Sequence, residues 1–137
     1  MIIGYTTGVF DLFHIGHVNI LRNAKSLCDK LIVGVTEDAL VLYKGKTCVI
    51  PFLDRIEVVR SCRYVDVVVP QYSIDKVSPV KKMKANRLFV GDDWYDQKNW
   101  KEMELELSKI GCEVHYFPYT RSVSSTLINE TLLDIRK

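Results

Sequence analysis

Apolar segments of four to six residues alternate along this chain with longer segments whose apolar residues recur at helical spacing. The segment 65–69 is almost entirely β-branched, which is typical of a strand in a parallel sheet covered by helices on both faces. Because successive parallel strands must be joined by a crossover, the alternation predicts a parallel sheet with right-handed helical connections. The predicted strands are residues 2–7, 31–35, 65–69, 87–90 and 113–117.

Helices are predicted between these strands and after the last one. Pro51 begins one of them, at a position where its missing N–H costs nothing, and Gly111 follows another as its expected end. Segment 36–50 has no sustained period and is predicted as loop or frayed helix. The predicted helices are residues 18–28, 51–62, 75–85 and 100–110, and a closing helix that follows Ser124.

Length and composition are those of one globular domain spanning residues 1–137. Apolar residues make up 47% of the chain and charged residues 26%, and a net charge of +2 favours neither a nucleic-acid partner nor a membrane surface. No apolar run approaches the roughly 20 residues that span a bilayer. The four cysteines lie far apart without a CxxC pair, so we expect reduced thiols in a cytoplasmic protein.

The segment 7–17, TGVFDLFHIGH, joins the first predicted strand to the first predicted helix. That loop faces the ligand in open α/β sheets, and the free N–H groups at a helix start favour an anion such as phosphate. His14 and His17 flank Gly16 there. Two histidines could also be structural or bind zinc, but the remaining histidine, His115, falls within a predicted strand and offers no plausible third ligand.

This segment resembles the HxGH signature of the nucleotidyltransferase superfamily and, as GVFDLFHIGH, its cytidylyltransferase branch. The resemblance implies a Rossmann-like domain in which His14 and His17 stabilise the transition state of attack on the α-phosphorus of CTP. Asp11 could hold the loop, orient a histidine or cap the following helix. The residues implied to line the nucleotide here are Gly8, Val9, Phe10, Asp11, Ile15 and Gly16.

Lys44 and Lys46 flank Gly45 in the string YKGK, which in most proteins is a solvated loop. Here Gly45 is expected to make the loop mobile. The resemblance implies that these lysines close over the substrates. Lys44 would then contact the phosphate of the acceptor, and Lys46 the triphosphate.

Other candidate residues follow the second predicted helix, the third strand and the fourth strand. Arg63 precedes the string YVD, where the family has an arginine that contacts the nucleotide, and we interpret it as close to the ligand-binding edge of the sheet. Lys76 could reach the acceptor, whereas Arg55 and Asp66 are interpreted as structural. The string GDDW resembles a family motif beside the nucleoside, and its residues Asp92, Asp93 and Trp94 are expected to contact base or ribose.

The segment before the closing helix resembles the family motif RTxGIST, which binds the β- and γ-phosphates. Tyr119 stands where arginine is usual, Arg121 follows two residues later, and Ser122 replaces the glycine. A serine-rich helix cap is the simpler interpretation. The implied phosphate-binding residues are Tyr119, Thr120, Arg121, Ser122, Val123, Ser124, Ser125 and Thr126.

The resemblance covers essentially the whole chain. In length and motif layout the chain is similar to the small bacterial glycerol-3-phosphate cytidylyltransferases. This similarity implies synthesis of CDP-glycerol and pyrophosphate from CTP, with Mg²⁺ bound to the triphosphate, by a homodimer. Three alternatives remain open: another phospho-alcohol acceptor such as phosphoethanolamine, phosphocholine or a capsule precursor; an adenylyltransferase; and a nucleotide-binding regulator without turnover.

Overall fold

The computed structural model describes residues 1–43, 45–91, 100–118 and 125–136. Within these ranges strands and helices follow one another as the sequence predicts, with one additional short helix between the second and third strands. The strands are β1 (Ile3–Gly8), β2 (Lys30–Thr36), β3 (Val67–Gln71), β4 (Arg87–Gly91) and β5 (Glu113–Phe117). The helices are α1 (Ile15–Ser26), α2 (Asp38–Tyr43), α3 (Phe52–Arg60), α4 (Val77–Met83), α5 (Trp100–Lys109) and α6 (Ser125–Arg136).

The five strands form one parallel sheet in the order β3-β2-β1-β4-β5. The chain moves from β1 outward through β2 and β3, and then crosses to the other side of β1 for β4 and β5. Open α/β sheets bind ligands in the crevice outside the carboxyl ends of the strands at such a reversal, which here are β1 and β4. The loop that follows β1 carries His14.

Helices cover both faces of the sheet, as predicted. On one face Leu21 of α1 and Val59 of α3 are fully buried in a core that includes Phe89 of β4. On the other face Val80 of α4 and Leu107 of α5 are buried in the core that includes Tyr5. Each such aliphatic side chain contributes about 1.5–3 kcal/mol to folding, so the two layers hold β1 and its loop in place from both sides.

Strand β3 differs from its prediction in both position and surroundings. It begins at Val67 rather than Val65, and Pro70 lies inside it rather than ending it. Because β3 is an edge strand, the missing N–H of Pro70 interrupts no bond within the sheet. Its valines are half-buried and pack against the cores of both faces.

Segment 36–50, for which the sequence predicts loop or frayed helix, contains one short, defined helix. α2 spans only six residues and is closed by the backbone of the residues that follow it. Gly45 has φ 79° and its N–H donates to the Leu42 carbonyl at 2.9 Å, while the Lys46 N–H donates to the Val41 carbonyl at 3.1 Å. This pair of bonds is a common way to end a helix and requires a left-handed residue at the glycine position. Gly45 thus terminates α2, and the mobility expected of the loop around it stays a prediction.

The prediction that Gly111 ends a helix is confirmed, since it follows α5 with φ 81°. In the part of the chain that the structure describes, no helix combines the length and the apolar character needed to cross a membrane.

Candidate active site

Two histidine rings cap the start of α1. His14 is the N-cap residue, and its Nδ1 accepts a hydrogen bond from the Gly16 N–H at 3.0 Å. Three residues on, Nδ1 of His17 accepts the His14 N–H at 3.2 Å. This reciprocal arrangement is the capping box in which Ser or Thr usually pairs with Glu or Gln. It explains why α1 begins at Ile15, three residues before the predicted start at Val18.

The caps determine where each ring carries its proton. A ring nitrogen that accepts a hydrogen bond is unprotonated, so the neutral form of each histidine has its proton on Nε2. The two rings stack at a centroid distance of 3.9 Å and an interplanar angle of 27°. The pair therefore offers two adjacent Nε2–H donors on the side of the rings away from the capped backbone.

Both rings are neutral at physiological pH. The pKa of His17 is lowered from 6.5 to about 4, mainly by burial and also by His14, while Asp11 partly opposes the shift. The rings of Phe13, stacked at 5.3 Å, and Phe10, edge-on at 5.3 Å, contribute to this burial. Burial also lowers the pKa of His14. The site thus provides neutral hydrogen-bond donors rather than imidazolium cations.

The backbone of the histidine loop (residues 9–14) is strained. Phe10 and Leu12 have φ of 55° and 50°, in the left-handed region that side chains disfavour. Such residues cost about 1–3 kcal/mol each and persist where the surrounding structure enforces them. A Cβ on Gly8 would lie 2.9 Å from the Phe10 ring, so Gly8 permits the buried position of that ring.

Asp11, which lies between the two strained residues, holds a second loop. Its Oδ2 accepts the Val49 N–H and its Oδ1 accepts the Ile50 N–H, both at 2.9 Å. Of the three roles considered from the sequence, these bonds support loop holding, and orientation of a histidine stays a prediction. The helix-cap role is wrong, because His14 occupies the N-cap of α1.

Arg55 is the site residue that sequence reasoning undervalued. It is 1% exposed and donates to the carbonyls of Val9 at 2.8 Å and Thr36 at 2.7 Å. It also donates to the Ile50 carbonyl at 2.9 Å and pairs with Asp38 at 2.5 Å. The sequence signal that could have identified Arg55 is its position on the apolar face of α3, three residues after Phe52 and four before Val59. A guanidinium group at such a position needs buried partners.

Lys76 approaches the same edge of the sheet from the other face. It directly precedes α4 and is only 4% exposed. Its Nζ lies 2.8 Å from Oγ1 of Thr7, one residue before the end of β1. A buried ammonium group thus lies at the carboxyl end of the central strand, next to the start of the histidine loop.

The structure places Lys46 in an exposed position between α2 and α3. Ser125 and Thr126 begin α6. The remaining predicted phosphate and nucleoside ligands lie outside the described residues: Lys44, Asp92, Asp93, Trp94, Tyr119, Thr120, Arg121, Ser122, Val123 and Ser124.

Arg63 lies beside the amino ends of the strands, whereas the histidine loop lies beside their carboxyl ends. α3 starts beside the carboxyl end of β2, as the bond from Arg55 to Thr36 shows, and runs back toward the amino ends of the strands. Arg63 follows α3 and precedes β3, with its guanidinium carbon 5.1 Å from the centroid of the Tyr64 ring. Our interpretation of Arg63 as close to the ligand-binding edge is therefore wrong, and its contact with nucleotide stays a prediction.

A family comparison decides the class of protein to which this site belongs. Residues 5–131 match the family model described as cytidylyltransferase-like. The chain belongs to the cytidylyltransferase-like family. The resemblance based on the HxGH string is thereby confirmed for the family.

Relatives of this cytidylyltransferase-like chain include enzymes of two named activities. Glycerol-3-phosphate cytidylyltransferase of Bacillus spizizenii is 33% identical over 131 residues, which are 95% of this chain and 96% of that enzyme. FAD synthase of Archaeoglobus fulgidus is 36% identical over 108 residues, 79% of this chain and 78% of that enzyme. Both kinds of relative are nucleotidyltransferases, and so is this member of the family. The regulator alternative is accordingly not supported.

A solved structure agrees with the fold. The lipopolysaccharide core biosynthesis protein of Thermoplasma volcanium is 29% identical, with a TM-score of 0.72 over 88% of this chain and 97% of that protein.

Proposed function

We propose that this protein transfers the cytidylyl group of CTP to glycerol 3-phosphate and releases pyrophosphate. The observation that carries the proposal is the pair of capped rings, His14 and His17, which present adjacent neutral donors at the crevice outside β1. The relative from Bacillus spizizenii supports this choice of substrates, because it matches nearly the whole chain. The product would be CDP-glycerol.

The reaction needs charge stabilisation rather than a covalent nucleophile. A phosphate oxygen of the acceptor attacks the α-phosphorus of CTP, and the bond from that phosphorus to the bridging oxygen of pyrophosphate breaks. The acceptor oxygen is already deprotonated, so no general base is required. Negative charge grows on the equatorial and leaving oxygens, where Nε2–H donors of His14 and His17 and the N-terminus of α1 stabilise it.

Cationic side chains would hold the phosphates on either side of the reacting centre. Lys46 is proposed to contact the triphosphate, and Lys76, with Lys44, the phosphate of the acceptor. Lys76 is the better supported of the acceptor ligands, because its buried Nζ already lies at the end of β1. Arg121 is proposed to replace the arginine that is usual at position 119.

The nucleotide would extend from the histidine loop toward the carboxyl end of β4. Backbone groups of the histidine loop, with Gly8, Ile15 and Gly16, are proposed to line the α-phosphate. Asp92, Asp93 and Trp94 are proposed to contact base or ribose, and the segment 119–126 the β- and γ-phosphates.

Mg²⁺ is proposed to arrive bound to the triphosphate. Among the described residues, no three His, Cys, Asp or Glu side chains form a metal-binding group. Asp11, the carboxylate of the histidine loop, accepts a backbone N–H group at each of its oxygens. Bound with the triphosphate, Mg²⁺ would neutralise charge on the leaving pyrophosphate.

The decisive experiment measures pyrophosphate release from CTP, Mg²⁺ and glycerol 3-phosphate. We expect release that depends on all three, and formation of CDP-glycerol in equal amount. A panel containing phosphocholine and phosphoethanolamine tests the acceptor. If CTP raises the melting temperature but no phospho-alcohol supports release, the proposed reaction is wrong.

A second candidate is adenylyl transfer from ATP to FMN. The observation that favours it is the 36% identity to the FAD synthase of Archaeoglobus fulgidus. The same attack on an α-phosphorus would then yield FAD and pyrophosphate. Stabilisation by ATP rather than CTP, with FAD formation measured by chromatography, would select this candidate over the first.

We further propose that the enzyme acts in the cytoplasm as a homodimer, on the basis of its family. Size-exclusion chromatography with light scattering tests the assembly, and elution at the mass of one chain would contradict it.

A further inference from the structure

The segment that carries Lys46 is held at its start. We define the lysine segment as residues 45–50. The N–H groups of Gly45 and Lys46 donate to the carbonyls of Leu42 and Val41 in the last turn of α2, at 2.9 and 3.1 Å. The backbone of Lys46 is therefore hydrogen-bonded to the last turn of α2 and is not part of an open loop.

The same segment is held at its end by the histidine loop. Both oxygens of the Asp11 carboxylate accept N–H groups, one from Val49 and one from Ile50, at 2.9 Å each. Arg55 donates Nε to the Ile50 carbonyl at 2.9 Å. Only Thr47 and Cys48 separate the two points of attachment, so the position of Lys46 is closely coupled to Asp11.

Arg55 extends this connection to three parts of the ligand-binding edge. One Nη1 atom donates to the Val9 carbonyl in the histidine loop and to the Thr36 carbonyl at the end of β2. Nη2 pairs with Asp38 at the start of α2. Lysine could not reproduce this set, because its single ammonium lacks the planar, branched donors of a guanidinium.

We propose that Asp11 and Arg55 are positioning residues for cytidylyl transfer. They hold Lys46 in the position, relative to His14 and His17, from which the lysine and both rings can contact the same triphosphate. This inference rests on the proposed function, since it concerns how the lysine and the rings reach one triphosphate. Neither residue need touch substrate. Their effect on turnover passes through the lysine segment, and a displacement of about 1 Å there is enough to cost up to about 100-fold in rate.

The test uses Asp11→Asn, which replaces one acceptor oxygen with an NH₂ that opposes a backbone N–H. Asp66→Asn is the matched control. Asp66 also accepts a backbone N–H, from Leu31 at 2.7 Å, and pairs with Lys25, but at the amino-terminal edge of the sheet. Arg55→Lys is the second test variant, with circular dichroism to confirm that each variant is folded.

Amide hydrogen exchange provides a readout that does not depend on activity. We expect exchange at residues 45–50 to accelerate at least tenfold in Asp11→Asn and not in Asp66→Asn. Unchanged exchange in this segment would overturn the proposal whatever the enzyme does. Absence of pyrophosphate release from the unmodified protein would instead overturn the proposed function, and leave the exchange result to decide the anchoring.

A double-mutant cycle with Lys46→Met tests the route by which the anchoring acts. We expect Asp11→Asn to lower kcat by about 10- to 100-fold with a smaller change in the KM for CTP. In a Lys46→Met background the same substitution should cost less than threefold, because the lysine that it displaces is already gone. Full additivity, or a loss confined to the KM for CTP, would show that Asp11 acts by another route and would overturn the proposal.

Discussion

The ring of His17 lies 3.9 Å from the ring of His14, centroid to centroid, and its Nδ1 accepts the backbone N–H of that same residue. The bond that caps α1 is thus also the bond that orients a proposed transition-state donor. Helix stability and chemistry depend on the same unprotonated nitrogen. Several consequences of this shared dependence can be measured.

Acid should destabilise the protein well above the pH at which carboxylates titrate. The unfolded chain binds a proton on residue 17 near pH 6.5, whereas burial lowers the pKa of His17 in the folded chain to about 4. The free energy of unfolding should therefore fall as pH drops from 6.5 to 4, by up to about 3 kcal/mol, and this contribution should level off below pH 4. Urea denaturation across this range measures the slope.

His17→Gln is the matched variant for that experiment, because glutamine at the third helical position can complete a capping box without titrating. We expect its stability to vary less with pH between 6.5 and 4 than that of the unmodified protein. Parallel curves for the two proteins would show that His17 does not cause the loss.

His17→Glu should separate folding from catalysis. At pH 7.5 the ionised glutamate can complete the same capping box, so the melting temperature should change little. It has no donor to replace the Nε2–H of histidine, so kcat should fall by about 10²- to 10³-fold. Pyrophosphate release measures the effect. His115→Gln is the control, since His115 lies on β5 beside Glu113 and should leave kcat unchanged.

Gly45→Ala should reduce both stability and activity, whereas Gly111→Ala should reduce stability alone. Both glycines end helices at φ near 80°, and a Cβ on either would meet no atom within 4 Å. The cost is therefore conformational and about 1–2 kcal/mol at each position. Only Gly45 adjoins Lys46. Equal losses of kcat in both variants would contradict a specific role for the end of α2.

Lys76→Met should weaken binding of the acceptor more than binding of CTP. Methionine can fill most of the buried space, but it removes the ammonium group 2.8 Å from Thr7 Oγ1. We expect the KM for the acceptor to rise at least tenfold, with less than a threefold change in the KM for CTP. Thr7→Val keeps the lysine and is the control. A rise confined to the KM for CTP would assign Lys76 to the nucleotide instead.

The sequence predicted the fold well because apolar strands and periodic helices leave strong local patterns. At α2 it predicted only loop or frayed helix, because six residues are too few for a clear period and the end of α2 depends on backbone bonds of Gly45 and Lys46. It placed the start of α1 late, because histidine is an unusual N-cap. The position of Arg63 could not be predicted without the sheet topology, because distance along the chain does not say at which end of a strand a residue lies.

In the site, the sequence predicted His14 and His17 from their spacing, but not the state of their rings. Neutral Nε2–H donors follow from cap bonds and from burial beside Phe13, which only coordinates reveal. The partners of Arg55 lie 5 to 46 residues away, in three separate segments. Such non-local contacts leave little trace in a single sequence beyond a charge on an apolar helix face.

Pro70 has a consequence for how two molecules of this protein can meet. It lies on the outer edge of the sheet, opposite Val35, where an incoming strand would require a donor that proline lacks. Growth of one continuous sheet from molecule to molecule is therefore disfavoured on that side. Contacts between molecules through β3 are expected to depend on side chains rather than on a continued strand ladder.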